Sequence, residues 1–354
     1  MQNVKRKELM ANTSVTRVLV VDDSAYVRKV VTQMLSRSPF LEVVGTARDG
    51  QEALEQVVAL KPDVVTCDLI MPILDGVGFV TAQMARRPLP IVIVSVASEA
   101  GEMVLNALDA GAVDFIQKPT ALASERLLDM TADLVEKVKG AASARLRGQI
   151  GVTPTKAGAL TGGRGAVDIV VLGISTGGPQ ALRNLIPQLP AELPVPLAIV
   201  LHMPVGYTEL YARKLDEMSP LTVCEAADGV EVRAGTVLIA PAGRHLSMRR
   251  NDRGQVITHL DMRPLDTPHR PSVDVLFQSA ADTYSGRVLG VVMTGMGEDG
   301  REGSAWIKAK GGTIFTEAED TCVVYGMPRA VVDAGLSDRS VGLEGMADAI
   351  LEHM

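Results

Sequence analysis

Between residues 17 and 139 the chain alternates short apolar runs with segments whose apolar positions recur at helical spacing. The runs at 17–21, 41–47, 63–68, 91–95 and 113–117 are rich in Val, Ile and Leu and read as strands buried on both faces. The segments 25–36, 50–60, 77–85, 102–110 and 125–139 read as helices. Five strands alternating with five helices predict a parallel, doubly wound sheet. The pattern then fades: residues 140–166 are rich in Gly, Ala, Thr and Arg, with no sustained apolar period, and read as a linker whose start continues the last helix through Arg147. It resumes at 167. Residues 168–182 read as strand, tight loop and helix. Strands are expected at 195–202, 223–226, 237–240 and 287–293, with helices at 207–218 and from 271, and a hairpin at 245–259 turning across Asn251 to Gly254. The expectation is a second doubly wound α/β domain with a mostly parallel sheet. The division is then an N-terminal tail (1–16), a first domain (17–139), the linker (140–166) and a second domain (167–354).

Composition narrows what such a chain does. With 354 residues, 47% apolar and 22% charged, it has the make-up of a globular protein of about two domains. A formal net charge of −7 disfavours non-specific binding to nucleic acid or to an anionic membrane surface. Three widely spaced cysteines, Cys67, Cys224 and Cys322, exclude a disulfide framework and any C-x-x-C metal site, and point to a reducing compartment. Residues 1–15 lack the apolar stretch of a signal peptide, and no apolar run is long enough to span a bilayer. A cytoplasmic protein without membrane insertion is expected.

In open α/β sheets ligands gather outside the carboxyl ends of the strands. In the first domain Asp22, Asp23 and Asp68 fall at such ends, as do Ser95 and Lys118. Three carboxylates in a small volume repel one another, and a hard divalent cation relieves the repulsion; one of them can also accept a phosphoryl group. Taken singly each carboxylate reads as solvated, and Asp22-Asp23 also reads as an N-cap pair for the next helix; it is their joint position at strand ends that counts. Together with the run from Asp68 to Gly76, these residues make 17–139 resemble a response-regulator receiver domain, of flavodoxin-like fold. The resemblance implies that Asp22, Asp23, Asp68 and the Ile70 carbonyl hold Mg²⁺, that Asp68 is the phosphoacceptor, and that Ser95, Phe115 and Lys118 are switch residues, Lys118 preceding a cis-prone bond to Pro119. The loop 96–100 departs from the Ser- and Thr-rich sequence expected after the switch hydroxyl.

In the second domain Ser175 lies within Gly173-Ile-Ser-Thr-Gly177, the G-x-S-x-G spacing that lifts a serine hydroxyl above a sheet at a strand-to-helix turn. The same spacing also serves a phosphate cradle or a plain tight turn. His202 closes a second apolar strand, and the loop after a third carries Glu298 and Asp299. Serine, imidazole and carboxylate at three strand ends can make a nucleophile, its base and the group that orients the base, although spacing alone does not separate Glu298 from Asp299. The motifs Gly173–Gly178, His202-Met-Pro204, His269-Arg-Pro-Ser-Val-Asp274 and Thr294-Gly-Met-Gly-Glu-Asp-Gly300 make this half resemble the catalytic domain of the chemotaxis protein-glutamate methylesterases, and the whole chain that family's two-domain enzyme. The resemblance implies Ser175 as nucleophile, His202 as base, Asp299 as its partner, and the N–H groups of Thr176 and Met296 as oxyanion donors. It further implies hydrolysis of glutamate methyl esters on chemoreceptors, glutamine deamidation at the same sites, no cofactor for the hydrolysis, and a chemotaxis histidine kinase as phosphodonor. The simplest regulation is a receiver that covers the mouth near Ser175 until Asp68 is phosphorylated. Two other readings compete: a non-enzymatic response regulator with a partner-binding output, and the same esterase in a chemosensory pathway outside motility.

Overall fold

The computed structural model describes residues 15–95, 101–118, 124–144 and 167–354. The chain divides into two compact units, 1–148 and 149–354. In the first, strands β1 (Thr16–Val21), β2 (Leu41–Ala47), β3 (Val64–Cys67), β4 (Ile91–Ser95) and β5 (Asp114–Gln117) form one sheet of order β2-β1-β3-β4-β5, with every pairing parallel. Helices α1 (Ala25–Leu35), α2 (Gly50–Leu60), α3 (Gly76–Arg86), α4 (Gly101–Asp109) and α5 (Ser124–Ala142) connect or follow the strands. This is the predicted doubly wound order, and it places the reversal of winding between β1 and β3, where Asp22 and Asp68 emerge. The alternative reading of the acidic pair as helix caps does not hold, because Ser24 is the N-cap of α1 and accepts the Val27 N–H. Helix α5 stops at Ala142, short of the expected continuation through Arg147, and Arg147 itself lies outside the described residues, as do Pro119, the loop 96–100 and most of the predicted linker.

The second unit is built on a seven-stranded sheet of order β14-β13-β12-β6-β7-β9-β8, again parallel at every pairing. Its strands are β6 (Ile169–Ile174), β7 (Leu197–Leu201), β8 (Thr222–Glu225), β9 (Thr236–Ile239), β12 (Val288–Val292), β13 (Thr313–Glu317) and β14 (Arg339–Val341). The expected hairpin is present as β10 (His245–Arg250) and β11 (Val256–Asp261), an antiparallel pair outside the main sheet, turned by a Gly254 N–H to Asn251 O bond of 2.8 Å. The helices are α6 (Gly178–Leu185), α7 (Thr208–Met218), α8 (Val273–Tyr284), α9 (Arg301–Ala309), α10 (Met327–Asp333) and α11 (Met346–Glu352). Everything from α9 onward lies beyond the elements read from the pattern.

Strands β6 and β12 are buried along their whole length, and Val273, Leu276, Phe277, Ala280 and Ala281 of α8 are buried with them in one apolar cluster. Winding proceeds from β6 toward β7, β9 and β8, and later from β12 toward β13 and β14, so β6 sits where the direction reverses. Its carboxyl end is therefore a natural crevice. Among the described residues no helix is long and apolar enough to cross a membrane.

Candidate active site

Ser175 follows β6 directly. Two glycines make that placement possible. A Cβ on Gly173 would come within 2.3 Å of Val273 Cγ1, so only glycine lets the start of α8 approach the strand end. Gly177, the N-cap of α6, has φ of 78°, in the left-handed region that glycine enters at no steric cost, and it lets the chain reverse so that the Gly178 N–H reaches Ser175 O at 2.7 Å. Pro179 then opens the helix. The Ser175 N–H donates to Thr294 O at 3.0 Å, which ties the serine to the loop that follows β12.

β6 and β7 pair in register with Ile174 beside Leu201, so Ser175 and His202 are the next residues beyond neighbouring strand ends, and the His202 N–H donates to Ile174 O at 3.1 Å. Asp299 reaches the same place from the loop beyond β12. His202 Nε2 and Asp299 Oδ2 are 2.9 Å apart, with both side chains only 9% exposed. Glu298, the neighbour that spacing could not exclude, is exposed and pairs instead with Arg301 at 2.6 Å.

Asp299 is held on every side. Its Oδ2 also accepts the Val273 N–H (2.8 Å), and its Oδ1 accepts the Asp274 N–H and the Ser272 hydroxyl, both at 3.0 Å. The carboxylate thus fills the N-terminus of α8, where free N–H groups and the helix dipole favour negative charge. Burial alone would raise its pKa. The His202 hydrogen bond and charge, with the two backbone donors, overcome that and hold it well below the usual carboxylate range. The relation is reciprocal: Asp274, in the first turn of α8, accepts the N–H groups of Gly300 (2.9 Å) and Gly303 (2.6 Å) at the start of α9. Burial, reinforced by the Asp299 charge, pushes Asp274 up to about 6.

An ionised Asp299 can only accept, so the proton of a neutral His202 must sit on Nε2. Nδ1 is then the basic atom. It is buried and has no hydrogen-bond partner, and no hydrogen bond joins it to Ser175. The exposed ring of His269 stacks on His202 with centroids 4.2 Å apart. His245 is structural: it is buried, accepts the Ser272 N–H on Nδ1 at 3.2 Å, and faces Pro264 O through Nε2, so that its burial lowers its pKa. Thr176 is buried and its carbonyl accepts the Thr294 hydroxyl at 3.0 Å; Met296 is half-buried, between Gly295 and Gly297.

In the first unit, oxygen atoms of Asp22, Asp23 and Asp68 lie within 4.8 Å of one another. Lys118 Nζ bridges the cluster, 2.6 Å from Asp22 Oδ2 and 2.8 Å from Asp68 Oδ2. Burial raises Asp22 in spite of that contact, and the two carboxylates raise Lys118 against its own burial. Ser95 Oγ is buried without a partner at the end of β4, and Ile70 is half exposed in the loop after Asp68. Hard oxygen donors, an orphaned hydroxyl and a cation held between two carboxylates are what a metal-bound phosphoryl group would need. Phe115 is buried on β5, with Lys137 Nζ 5.8 Å from its ring centre.

Fold and sites together define a response regulator whose output unit has the layout of a serine hydrolase. A family model described as CheB methylesterase matches residues 170–350, and one described as response regulator receiver domain matches 18–131. The chain belongs to the CheB methylesterase family. It is 50% identical to the protein-glutamate methylesterase/protein-glutamine glutaminase 5 of Myxococcus xanthus, over 98% of this chain and all of that one. The protein-glutamate methylesterase/protein-glutamine glutaminase of Symbiobacterium thermophilum is 46% identical over 94% of this chain and 96% of its own length. The crystal structure of the CheB methylesterase catalytic domain of Thermotoga maritima covers 53% of this chain and 99% of its own, at 41% identity and a TM-score of 0.52. The helix start expected from 271 is present, but the sequence reading assigns Ser272 and Asp274 no part in holding Asp299. The Pro-Ser-Val-Asp run at a helix start was the signal available for them.

Proposed function

We propose that this protein hydrolyses glutamate γ-methyl esters on chemoreceptors, releasing methanol, and deamidates glutamine at the same sites, with Ser175, His202 and Asp299 as its triad. The observation that carries the reading is the His202–Asp299 contact, which leaves Nδ1 as a buried base beside the carboxyl end of β6. Ser175 Oγ attacks the ester carbonyl while its proton passes to Nδ1, and the carbonyl oxygen, now an anion, is received by the N–H groups of Thr176 and Met296. Collapse breaks the bond to the methoxy group, which takes the proton from His202 and leaves as methanol. Water then gives its proton to Nδ1 and attacks the acyl-enzyme, and a second collapse restores Ser175 and frees the carboxylic acid. A glutamine substrate follows the same course with ammonia as the leaving group. Asp299 stays ionised throughout and stabilises the imidazolium.

The rate is set by phosphorylation of Asp68, with a chemotaxis histidine kinase as donor. Asp22, Asp23, Asp68 and the Ile70 carbonyl would hold Mg²⁺, which would screen the charge of the arriving phosphoryl group. Lys118 would shift from its two carboxylates to a phosphoryl oxygen, and the unpartnered Ser95 hydroxyl would donate to another. The setting for this chemistry is the cytoplasm. The test is methanol release from methylated receptor by Ser175→Ala protein. Activity should disappear while phosphorylation of Asp68 from a small phosphodonor persists; near-normal methanol release would overturn the assignment.

A further inference from the structure

Glu317 ends β13 and is completely buried (0% exposed), on the same strand as the buried Ile314 and Phe315. An apolar residue would fill such a place at lower cost, since a buried carboxyl is tolerated only with partners. Its partners are specific. The Thr294 N–H donates to Oε2 at 2.9 Å, and the Thr321 hydroxyl donates to Oε1 at 3.0 Å.

Thr294 in turn connects both sides of the crevice. Its carbonyl accepts the Ser175 N–H at 3.0 Å, and its hydroxyl donates to Thr176 O at 3.0 Å while accepting the Val324 N–H at 3.0 Å. Gly295 continues the anchoring, giving its N–H to Val324 O and accepting from Gly326 and Met327. A Cβ on Gly295 would lie 2.7 Å from Ser175 Cβ, so this loop runs directly against the nucleophile. The last paired residues of β12 and β13 are Val292 and Thr316. Beyond them no main-chain acceptor continues the ladder for Thr294, and the Glu317 side chain takes that place, letting the loop leave the sheet at a fixed height.

We propose that Glu317 is a positioning residue for the hydrolysis: through the Thr294 N–H it keeps the 294–296 loop in register with Ser175 and Thr176, so that the N–H groups of Thr176 and Met296 converge on one oxyanion. The proposal rests on the serine-hydrolase reading above. Burial pushes the Glu317 carboxyl up to about 7 against the pull of its two hydrogen bonds, with the Glu344 charge adding to the rise. Protonated or ionised, Oε2 can accept the Thr294 N–H, so the brace persists on both sides of neutrality.

The test compares Glu317→Gln, Glu317→Asp and Thr294→Val in the full-length protein, by kcat and KM for methanol release from methylated receptor, with folding followed by circular dichroism. Losing a single oxyanion donor outright costs about 100- to 1,000-fold in kcat, and a loosened pair should lose part of that. E317D keeps the carboxyl but is one methylene too short, and kcat should fall at least about tenfold with KM within about twofold. E317Q keeps an acceptor at the same reach and should stay within about threefold of wild type. T294V keeps the N–H that Glu317 accepts but removes the hydroxyl bonds to Thr176 O and from the Val324 N–H, so it loosens the same loop at a separate anchor and should also slow kcat. A folded E317D with unchanged kcat, or an E317Q as slow as E317D, overturns the proposal; where E317D does not fold, an E317Q more than about tenfold slower than wild type overturns it. Ser175→Ala measured alongside separates the two failures. If S175A is inactive and E317D normal, only the brace is wrong, whereas an active S175A removes the hydrolase reading itself.

Discussion

Replacing Asp299 by Asn removes one charge and changes almost no volume, and the four hydrogen bonds at that carboxylate decide the outcome. Two donors meet each oxygen: His202 Nε2 and the Val273 N–H at Oδ2, the Asp274 N–H and the Ser272 hydroxyl at Oδ1. An amide has one accepting atom. With its oxygen toward His202, the NH₂ opposes the Asp274 N–H, stranding a helix donor at about 1–3 kcal/mol, and the charge-assisted bond to the imidazolium, about 1.5–3 kcal/mol, is weakened. With its nitrogen toward His202, Nε2 must accept, the proton moves to Nδ1, and the base is lost; a wrong tautomer of this kind has cost about 10⁴-fold elsewhere. Between these limits kcat should fall about 10²- to 10⁴-fold with KM within about twofold. Relief of the repulsion on Asp274 offsets part of the stability loss. Its carboxyl, now pushed up to about 6 first by burial and then by the Asp299 charge, should titrate nearer the ordinary range. The assay is methanol release with a carboxyl NMR titration of Asp274, and Glu298→Gln as control at about wild-type rate, because Glu298 is exposed and pairs with Arg301. A folded D299N retaining more than about a tenth of wild-type kcat would refute the argument that this carboxylate holds the base.

Two further predictions follow from the buried carboxyls. Asp68→Asn should abolish stimulation of methanol release by a small phosphodonor with Mg²⁺ while leaving resting activity intact, and the isolated 149–354 unit should be indifferent to that donor; stimulation of D68N would place the phosphoacceptor elsewhere. Glu317 carries a pKa raised to about 7 from an ordinary 4.5, so the folded state binds its proton more tightly than the unfolded chain. Its contribution to stability is therefore fully present below about pH 4.5 and is lost as pH rises through about 7, a difference of about 3 kcal/mol. The melting temperature of wild type should thus fall from pH 5 to pH 8 by about 6–12 °C more than that of E317Q, titrations shared by both proteins cancelling in the comparison. Parallel melting curves against pH would contradict the raised pKa.

Much of this molecule was legible because buried parallel strands write themselves as continuous apolar runs, and chemistry gathers where those runs end. Ser175, His202 and the acidic residues of the first unit were visible for that reason. What stayed hidden is what strand ends touch after the chain has folded. Nothing local distinguishes Asp299 from Glu298; the difference is that one turns toward the first turn of a helix 25 residues away in sequence and the other toward Arg301. Glu317 resembles any polar residue closing a strand, and its importance comes from Thr294, 23 residues earlier. Residues 301–354 form three short helices and two strands whose apolar patterns are too brief to separate from loops.

The exchange of carboxylates between α8 and α9 has a consequence for how the enzyme comes to be active at all. Asp299 sits 97 residues from His202 in the chain, and it is oriented only when the first turn of α8 is formed and Asp274 has gathered the N–H groups of α9. No local fragment can assemble that arrangement. On the proposed triad, a nascent or partly opened catalytic unit would carry its serine and histidine without the anchored acid, and would be slow toward esters it met early. If Asp299 orients the base as proposed, full hydrolytic competence is a proofreading mark, acquired only by chains whose two helices have already packed.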